Sequence, residues 1–258
     1  MLADRVCVIS GIGPGVGQAL ARCAAREGAS VVLASRNQES LRSVEKELTD
    51  AGASALSVPT DITDAAACRR LVDESIERFG RIDVLINNAY QPDPYTRFED
   101  VDLAVWRRIY DVNVFGTLQL TQDAVRHMRE QRRGSIVFIN AMVIRKMIPQ
   151  QGGYASSKGA LFVAAHSLAR ELGRYSIRVN TVIPGWIWGP SVKRHAAERA
   201  QRENSTVDAV YDDLSRRTSL RRLPTPEDCA EAAIFLASDR AATITGQSLD
   251  VNGGEVFA

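Results

Sequence analysis

The stretch Arg5–Gly17, RVCVISGIGPGVG, decides the fold. Its first half, Arg5 to Ser10, is a short apolar run, which is typical of a strand buried on both faces of a parallel sheet. Its second half is a glycine-rich turn, and a helical pattern follows from Gln18 to Glu27. Strand, glycine-rich turn and helix in this order favour the phosphate-binding half of a dinucleotide fold, because glycines let the backbone approach a pyrophosphate at a helix amino terminus. A merely flexible turn is the alternative interpretation.

The same alternation of apolar runs and helical patterns continues along the chain. Further strands are predicted at Ser30–Ser35, Ala55–Val58, Ile82–Tyr90, Gly134–Asn140, Ile177–Ile183 and Gly246–Val251. The pattern favours one Rossmann-like, doubly wound α/β domain over residues 1–258, with helices between successive strands. Residues 186–222 read as irregular helix with many charges and two tryptophans, and we expect this segment to cover the substrate.

Composition excludes several classes of function. The 258 residues are 45% hydrophobic and 24% charged, which is ordinary for a globular protein. A formal net charge of +1 gives no electrostatic footprint for nucleic acid or an anionic membrane. No apolar window reaches the length of a membrane span, and no secretory leader is visible, so we expect a cytoplasmic protein. The cysteines show no metal-ligand spacing, so no metal site is predicted, and they are Cys7, Cys23, Cys68 and Cys229.

Polar residues at the ends of predicted strands point to the cofactor. The second strand ends in Ser35-Arg36-Asn37, where this fold meets the adenine ribose. The absence of a carboxylate and the presence of one guanidinium favour a 2′-phosphate, and therefore NADP(H) over NAD(H). The alternative interpretation is that Arg36 is simply an exposed residue at the end of a strand. Asp61 follows the third strand and is expected near the adenine, whereas Asp64 is predicted to cap the next helix.

Tyr154 and Lys158 form the candidate catalytic pair. Residues four apart share one face of a helix. An ammonium held beside a phenol favours the phenolate, so we expect the pKa of Tyr154 to fall below its usual value of about 10. Such a phenol can exchange a proton with an alcohol or a ketone near neutral pH. The pair alone is a weak signal and gains weight from the glycine-rich turn upstream.

These motifs stand together in a known order. Ser10-Gly11-x-x-x-Gly15-x-Gly17, Asp61, Asn87-Asn88-Ala89, Asn113, Tyr154-x-x-x-Lys158 and Pro184-Gly185 follow one another along the chain. The chain resembles the classical short-chain dehydrogenase/reductase family over almost its whole length. The resemblance implies a seven-stranded parallel sheet with helices on both faces. It also implies assembly into a homotetramer or homodimer.

The resemblance further implies roles for individual residues. Tyr154 would be the acid/base, Lys158 would hold the nicotinamide ribose and lower the tyrosine pKa, and Asn113 would hold a water in a proton relay. The residues expected to bind the cofactor are Gly11, Ile12, Pro14, Gly15, Val16, Gly17, Ser35, Arg36, Asp61, Ile62, Asn88, Ala89, Tyr90, Tyr154, Lys158, Pro184, Gly185 and Ile187.

The chain departs from the family's pattern at three positions. Ala141 stands thirteen residues before Tyr154, where the family has a catalytic serine. Losing one such hydrogen-bond donor typically costs about 2.7–4 kcal/mol of transition-state stabilisation, or roughly 10²–10³ in rate. Gln150, Gln151 or a water are candidate replacements. Tyr90 replaces the family's glycine after Asn-Asn-Ala, and either shapes the pocket or is a tolerated surface ring. The usual threonine after Pro184-Gly185 is missing, with Ser191 as a nearby substitute.

The leading hypothesis is an NADP(H)-dependent oxidoreductase that interconverts a secondary alcohol and a ketone. The substrate is expected to be a hydrophobic small molecule, cyclic or aromatic, because the predicted pocket wall comprises Tyr90, Tyr95, Met142, Ile144, Met147, Trp186 and Trp188. The alternatives are a cofactor-binding protein of little or no turnover, an engineered inactive variant, and a lyase or epimerase. His127, His166 and His195 are expected at helix surfaces, without a catalytic role.

Overall fold

A computed structural model describes residues 1–257 and contains one parallel sheet. Its strands are β1 (Val6–Ser10), β2 (Ser30–Ser35), β3 (Ala55–Pro59), β4 (Val84–Asn87), β5 (Gly134–Ile139), β6 (Ile177–Pro184) and β7 (Ser248–Val251). They lie in the order β3-β2-β1-β4-β5-β6-β7, and every neighbouring pair is parallel. The seven-stranded, Rossmann-like architecture expected from the sequence is confirmed.

Helices cover both faces of this sheet. They are α1 (Val16–Arg26), α2 (Gln38–Asp50), α3 (Ala65–Phe79), α4 (Leu103–Tyr110), α5 (Thr117–Gln131), α6 (Gly152–Leu172), α7 (Pro190–Arg202), α8 (Val207–Arg216) and α9 (Pro226–Ala237). Successive side chains of a strand point to opposite faces, so Cys7 and Ile9 pack with α1, α2 and α9. Val6 and Val8 pack with α3, α5 and α6 on the other face. The sheet is therefore buried between two apolar layers.

Three segments differ in detail from the sequence-based expectation. The strand predicted at Ile82–Tyr90 is only β4, because the residues after Asn87 turn away to line the sheet edge. The helical stretch before residue 128 contains a π-helical turn, Asp111–Gly116, between α4 and α5. Such turns are frequent at functional sites. Residues 186–222 contain α7 and α8, which share a small apolar cluster of Ala196, Ala200, Val210, Leu214 and Leu223.

Two further features of residues 1–257 concern helix ends and membranes. Asp64 caps α3 as predicted, its Oδ1 atom accepting a hydrogen bond of 2.8 Å from the amide of Ala66. None of the helices in this range is both long and apolar enough to cross a bilayer.

The glycine-rich turn between β1 and α1 is closed by direct backbone contact. Gly11 has φ 81°, and a Cβ atom there would lie 2.4 Å from the amide nitrogen of Ala89. A Cβ atom on Gly17 would lie 2.3 Å from the carbonyl oxygen of Gly11. These distances are too short for any side chain, so both positions require glycine. The first turn of α1 is thereby pressed against the ends of β1 and β4.

Replacing Gly17 with alanine should therefore destabilise the protein. The added methyl group meets a backbone oxygen, and such overpacking costs about 1–3 kcal/mol of the free energy of unfolding. The measurement is urea unfolding. Gly13→Ala is the matched control, because no atom lies within 4 Å of a Cβ atom built at Gly13, and its effect should stay within about 0.5 kcal/mol. Equal stability of Gly17→Ala and the unmodified protein would contradict the close contact.

Candidate active site

One cavity of about 480 Å³ opens at the carboxyl ends of the central strands. Ligands of open α/β sheets bind at this edge, outside the ends of the strands. The cavity runs from the glycine-rich turn to Trp186 and α7. The sequence-predicted site residues that line it are Gly11, Pro14, Gly15, Val16, Gly17, Asn88, Tyr90, Ala141, Tyr154, Lys158, Pro184, Gly185 and Ile187. The structure thus places the glycine-rich turn and the Tyr–Lys pair in one cavity.

The other predicted site residues lie outside the lining of this cavity. They are Ile12, Ser35, Arg36, Asp61, Ile62, Ala89 and Asn113. Three of them, Ile12, Ser35 and Arg36, lie in or beside the glycine-rich turn, since the amides of Gly11 and Ile12 both donate to the carbonyl oxygen of Ala34, at 2.8 and 3.2 Å. Ala34 is the residue before Ser35 and Arg36. The end of β2 therefore lies beside the turn.

Lys158 is buried at the centre of the site, with 2% of its surface exposed. Its Nζ atom donates a hydrogen bond of 2.8 Å to the carbonyl oxygen of Ile139, at the end of β5. Burial disfavours the charged form and lowers the pKa of Lys158 from 10.5 to about 7. The residue can therefore exist as either amine or ammonium near neutral pH.

The pKa expected for Tyr154 was wrong. Burial raises the pKa of this half-buried phenol above its usual value of 10, and the nearby phenols of Tyr90 and Tyr95 raise it further. The Nζ atom of Lys158 lies 5.8 Å from the centroid of the Tyr154 ring. In the protein alone, desolvation outweighs the attraction of a lysine at this distance. Tyr154 is accordingly a proton donor in this state.

Asp93 holds the amino terminus of the helix that carries Tyr154. Its Oδ2 atom accepts hydrogen bonds from the amides of Gly153 and Tyr154, at 3.0 and 3.2 Å. The residue is 5% exposed and also lines the cavity. Sequence reasoning missed Asp93, because a cap that comes from about sixty residues away leaves no local pattern. Its carboxylate fixes the first turn of α6, and its negative charge interacts favourably with the positive end of the helix dipole.

Asn113 joins the π-helical turn to two other segments of the site. Its Oδ1 atom accepts a hydrogen bond of 2.7 Å from the amide of Gln91. Its Nδ2 atom donates to the carbonyl oxygen of Gln91 at 3.1 Å and to Oγ of Ser157 at 3.0 Å. The side chain is fully buried. Asn113 therefore positions the loop after β4 against α6, one residue before Lys158.

Ala141 follows β5 and presents only a methyl group to the cavity. Its neighbour Asn140 is already committed, since Oδ1 accepts from the amide of Ala141 at 2.8 Å and Nδ2 donates to the carbonyl oxygen of Lys158 at 3.1 Å. Of the candidate replacements for the missing hydroxyl, Gln150 is exposed outside the cavity lining, whereas Gln151 is buried and lines it. Ser191, proposed in place of the family's threonine, also lines the cavity.

The apolar wall of the cavity agrees only in part with its sequence-based prediction. Tyr90, Tyr95, Met142 and Trp186 line it. Ile144, Met147 and Trp188 do not: Met147 is 69% exposed, and Trp188 packs edge-on against Tyr211 in the cluster formed by α7 and α8. Met142 and Val143 of the short 3₁₀ turn Met142–Ile144 line the cavity, whereas Ile144 at its end does not.

His195 belongs to the cavity wall, which corrects its assignment to a helix surface. Its ring stacks between Trp186, at 5.4 Å between centroids, and Tyr95, at 6.2 Å. The three rings come from three different segments and so join α7 to the loops that follow β4 and β6. Nothing in the spacing of these residues along the chain indicates the stack, which depends on where α7 packs.

The site has the features needed to hold a dinucleotide. The turn from Gly11 to Gly17 exposes backbone rather than side chains, and the space beside Gly13 is open. Asn88 braces the turn by donating from Nδ2 to the carbonyl oxygen of Gly11 at 2.7 Å. The Oγ atom of Ser35 is buried without a hydrogen-bond partner, and Arg36 beside it is exposed. An unpaired hydroxyl and an exposed guanidinium at this strand end suit a polar ribose substituent.

The sheet order, the glycine-rich turn and the Tyr–Lys pair define the class of nicotinamide-dependent oxidoreductases. A family model described as enoyl-(acyl carrier protein) reductase matches residues 11–255. The cis-4-hydroxycyclohexanecarboxylate dehydrogenase of Sinomonas cyclohexanicum is 34% identical to this chain, over 98% of the chain and 96% of the relative.

Two solved structures are similar over the whole fold. NAD⁺-bound xylitol dehydrogenase has a TM-score of 0.91 at 29% identity, covering 98% of this chain and 99% of that one. The actinorhodin polyketide ketoreductase with NADPH has a TM-score of 0.91 at 28% identity, covering 99% of each chain. The chain belongs to the short-chain dehydrogenase/reductase family. It is an oxidoreductase of this family, whose solved structures include complexes with NAD⁺ and with NADPH.

The buried amine of Lys158 predicts a specific dependence of stability on pH. Lys158 binds its proton less tightly in the folded chain, with a pKa of about 7, than in the unfolded chain, with 10.5. Between these two values the unfolded state binds more protons, so the free energy of unfolding rises with pH by up to about 1.4 kcal/mol per pH unit. Below pH 7 Lys158 is protonated in both states, so the folded state bears the full free-energy cost of burying its charge.

Lys158→Met removes this dependence. Urea unfolding of both proteins from pH 7 to pH 10 should show the unmodified protein gaining stability relative to the variant as the pH rises. Lys46→Met, at an exposed helix position beside Asp50, is the control and should give a flat difference. A flat difference for Lys158→Met as well would show that its amine is not desolvated.

Proposed function

We propose that the protein is an NADP(H)-dependent oxidoreductase that interconverts a secondary alcohol and a ketone, with Tyr154 as the acid/base. The observation that carries this proposal is the placement of Tyr154 and Lys158 in the same cavity as the glycine-rich turn. A protein that only bound a dinucleotide would have no use for a buried lysine beside a phenol, since burying such a group is costly.

The proposed reaction balances with the groups at hand. When bound, a nicotinamide cofactor would supply the hydride for reduction of the carbonyl carbon and would accept it in oxidation. In reduction, the hydroxyl of Tyr154 donates its proton to the carbonyl oxygen, which becomes the alcohol, and Tyr154 is left as the phenolate. Lys158 as ammonium stabilises that phenolate and returns a proton by way of water, with Asn113 holding the relay. Oxidation follows the reverse order.

We propose NADP(H) as the preferred cofactor because Arg36 and Ser35 stand together at the end of β2. Arg36 makes no ion pair with another residue in the described range, and no carboxylate precedes it at the strand end. Gly11–Gly17 would hold the pyrophosphate, Asp61 and Ile62 would bracket the adenine, and Asn88 to Tyr90 would line the ribose. Pro184, Gly185 and Ile187 would meet the carboxamide, with Ser191 in place of the missing threonine.

We propose a hydrophobic substrate that contains a ring. The stack of Tyr95, His195 and Trp186 offers flat apolar faces, and Met142 adds an adaptable thioether. Residues 186–222 would cover the substrate, since α7 contributes His195 to the wall. Substrate choice on this fold is set by such loops and helices, not by the sheet.

A second candidate function follows from Ala141. A protein that lacks the serine hydroxyl could bind the dinucleotide with little turnover, and its cofactor would then be a structural or sensory ligand. We rank this function second because Tyr154, Lys158 and Asn113 are all retained, and because they are all linked to the end of β5 or to α6 by buried contacts.

The proposed assembly is a homotetramer or homodimer in the cytoplasm. Leu103, Phe115 and Val163 are large apolar side chains exposed on α4, the π-helical turn and α6. These three elements are neighbours in the fold, so a second copy of the chain would bury the side chains together. Four buried cysteines without a disulfide suit a reducing compartment.

Turnover itself tests the proposed function. Purified protein with NADPH and a panel of cyclic ketones, or with NADP⁺ and the matching alcohols, should change the nicotinamide absorbance. Tyr154→Phe should lower kcat by about 10²–10⁴, because the proton donor is lost while the ring is kept. Phe98→Leu, outside the cavity lining and largely exposed, is the control. Absence of turnover, with tight NADPH binding retained, would favour the second candidate function.

Arg36 tests the cofactor preference. Arg36→Ala should weaken NADP(H) binding by about tenfold to a hundredfold, which is the value of a hydrogen bond to a charged group, and should leave the Kd of NAD(H) unchanged. Arg36→Lys is the matched variant, because it keeps the charge but loses the planar guanidinium group. Its affinity for NADP(H) should lie between those of the unmodified protein and Arg36→Ala. Fluorescence titration of the reduced cofactors provides the measurement. Equal affinities of the unmodified protein for both dinucleotides would refute the preference.

A further inference from the structure

We propose that the hydroxyl of Tyr90 donates a hydrogen bond to the reacting oxygen of the substrate and so replaces the serine hydroxyl that Ala141 lacks. The inference rests on the proposed function and names a further catalytic residue for it. It also explains two of the chain's departures from its family together: the hydroxyl absent at position 141 is replaced by the hydroxyl present at position 90.

The register of the sheet brings these two positions to the same edge of neighbouring strands. Asn87 of β4 pairs with Phe138 of β5. Tyr90 is three residues beyond Asn87, and Ala141 is three residues beyond Phe138. Both therefore leave the same edge of adjacent strands, and both line the cavity. A side chain added at one position can reach the space that a side chain removed at the other leaves free.

Tyr90 also lies against the catalytic pair. The centroids of its ring and the Tyr154 ring are 6.1 Å apart, with the ring planes tilted by 56°. The Nζ atom of Lys158 lies 6.0 Å from the Tyr90 centroid and 5.8 Å from the Tyr154 centroid. The two phenols thus flank one amine. Their closeness is the reason why Tyr90 contributes to the raised pKa of Tyr154.

The hydroxyl of Tyr90 is free to donate. No hydrogen bond involves it within residues 1–257, and the side chain is 48% exposed at the cavity. A tyrosine hydroxyl is both donor and acceptor, so it can offer a hydrogen to an oxygen on which negative charge develops. Preorganised donors of this kind are the main means by which active sites stabilise such oxygens.

Most other donors near Ala141 have partners already. The amide of Asn140 donates to the carbonyl oxygen of Lys158, and the backbone amide of Ala141 donates to Asn140. The amide of Asn88 donates to Gly11. The remaining side-chain amide in the cavity lining is that of Gln151, which is within hydrogen-bonding reach of the Tyr95 hydroxyl. Gln151 therefore serves as the matched comparison for Tyr90.

A double-mutant cycle with Ala141→Ser tests the proposal. Tyr90→Phe should lower kcat by about 10²–10³, the value of one such donor, with little change in KM. In the Ala141→Ser background the serine hydroxyl supplies the hydrogen bond. There, Tyr90→Phe should lower kcat by less than about tenfold. Gln151→Met should have the same effect in both backgrounds. Tyr90→Phe keeps the ring that would line the ribose, so the Kd of NADPH, measured by fluorescence titration, should change far less than kcat.

A second measurement does not depend on turnover. A hydrogen bond to a ketone lowers the stretching frequency of its carbonyl group, so the infrared band of a cyclic ketone bound to the NADP⁺ complex should move to higher frequency in Tyr90→Phe. It should not move in Gln151→Met. An unmoved band in Tyr90→Phe, or equal losses of kcat in both backgrounds, would overturn the role of Tyr90.

The outcomes separate this inference from the proposed function. Turnover that depends on Tyr154 but is unaffected by Tyr90→Phe would keep the oxidoreductase and reject Tyr90 as a donor. A band shift without turnover would keep the hydrogen bond from Tyr90 and reject the proposed activity.

Discussion

The site is built around the contact between the buried amine of Lys158 and the carbonyl oxygen of Ile139. Burying a lysine is costly unless its amine finds a hydrogen-bond acceptor, and here the acceptor is present while burial lowers the pKa of Lys158 to about 7. The contact ties α6 to the end of β5, and Asn140 strengthens it by bonding back to the carbonyl oxygen of Lys158. Tyr154, one turn earlier on the same helix face, is positioned as a consequence.

The parallel sheet explains why the remaining groups meet at this place. All seven strands run in the same direction, so residues that follow them converge at one edge. The glycine-rich turn follows β1, Tyr90 follows β4, Ala141 follows β5 and Gly185 follows β6. A close backbone contact between Gly11 and Ala89 locks two of these ends together. The wall of the cavity is thus assembled from loops at the sheet edge, and α6 adds Tyr154 and Lys158.

Sequence reasoning predicted the parts that depend on local pattern. The strands, the glycine-rich turn and the Asp64 cap all leave a signature within a few residues, and the structure confirms them. Asp93 and His195 could not be found in this way, because their roles depend on contacts with segments far along the chain. The pKa of Tyr154 was wrong for a related reason. Spacing shows that a lysine is one helical turn away, but it does not show how deeply both groups are buried.

The proposed catalytic residues and the residues that would select the substrate lie on different parts of the fold. In the proposed reaction, Tyr154 and Lys158 would act on any alcohol or ketone that reaches them, so discrimination between substrates would come from the rest of the wall. That wall is held by the stack of Tyr95, His195 and Trp186, in which α7 contributes the central ring. Behind α7, the small side chains of Ala196 and Ala200 pack in an apolar cluster with Val210 and Leu214 of α8. A change in this cluster would move His195 without touching the catalytic pair, so substrate choice can vary while the reaction stays the same.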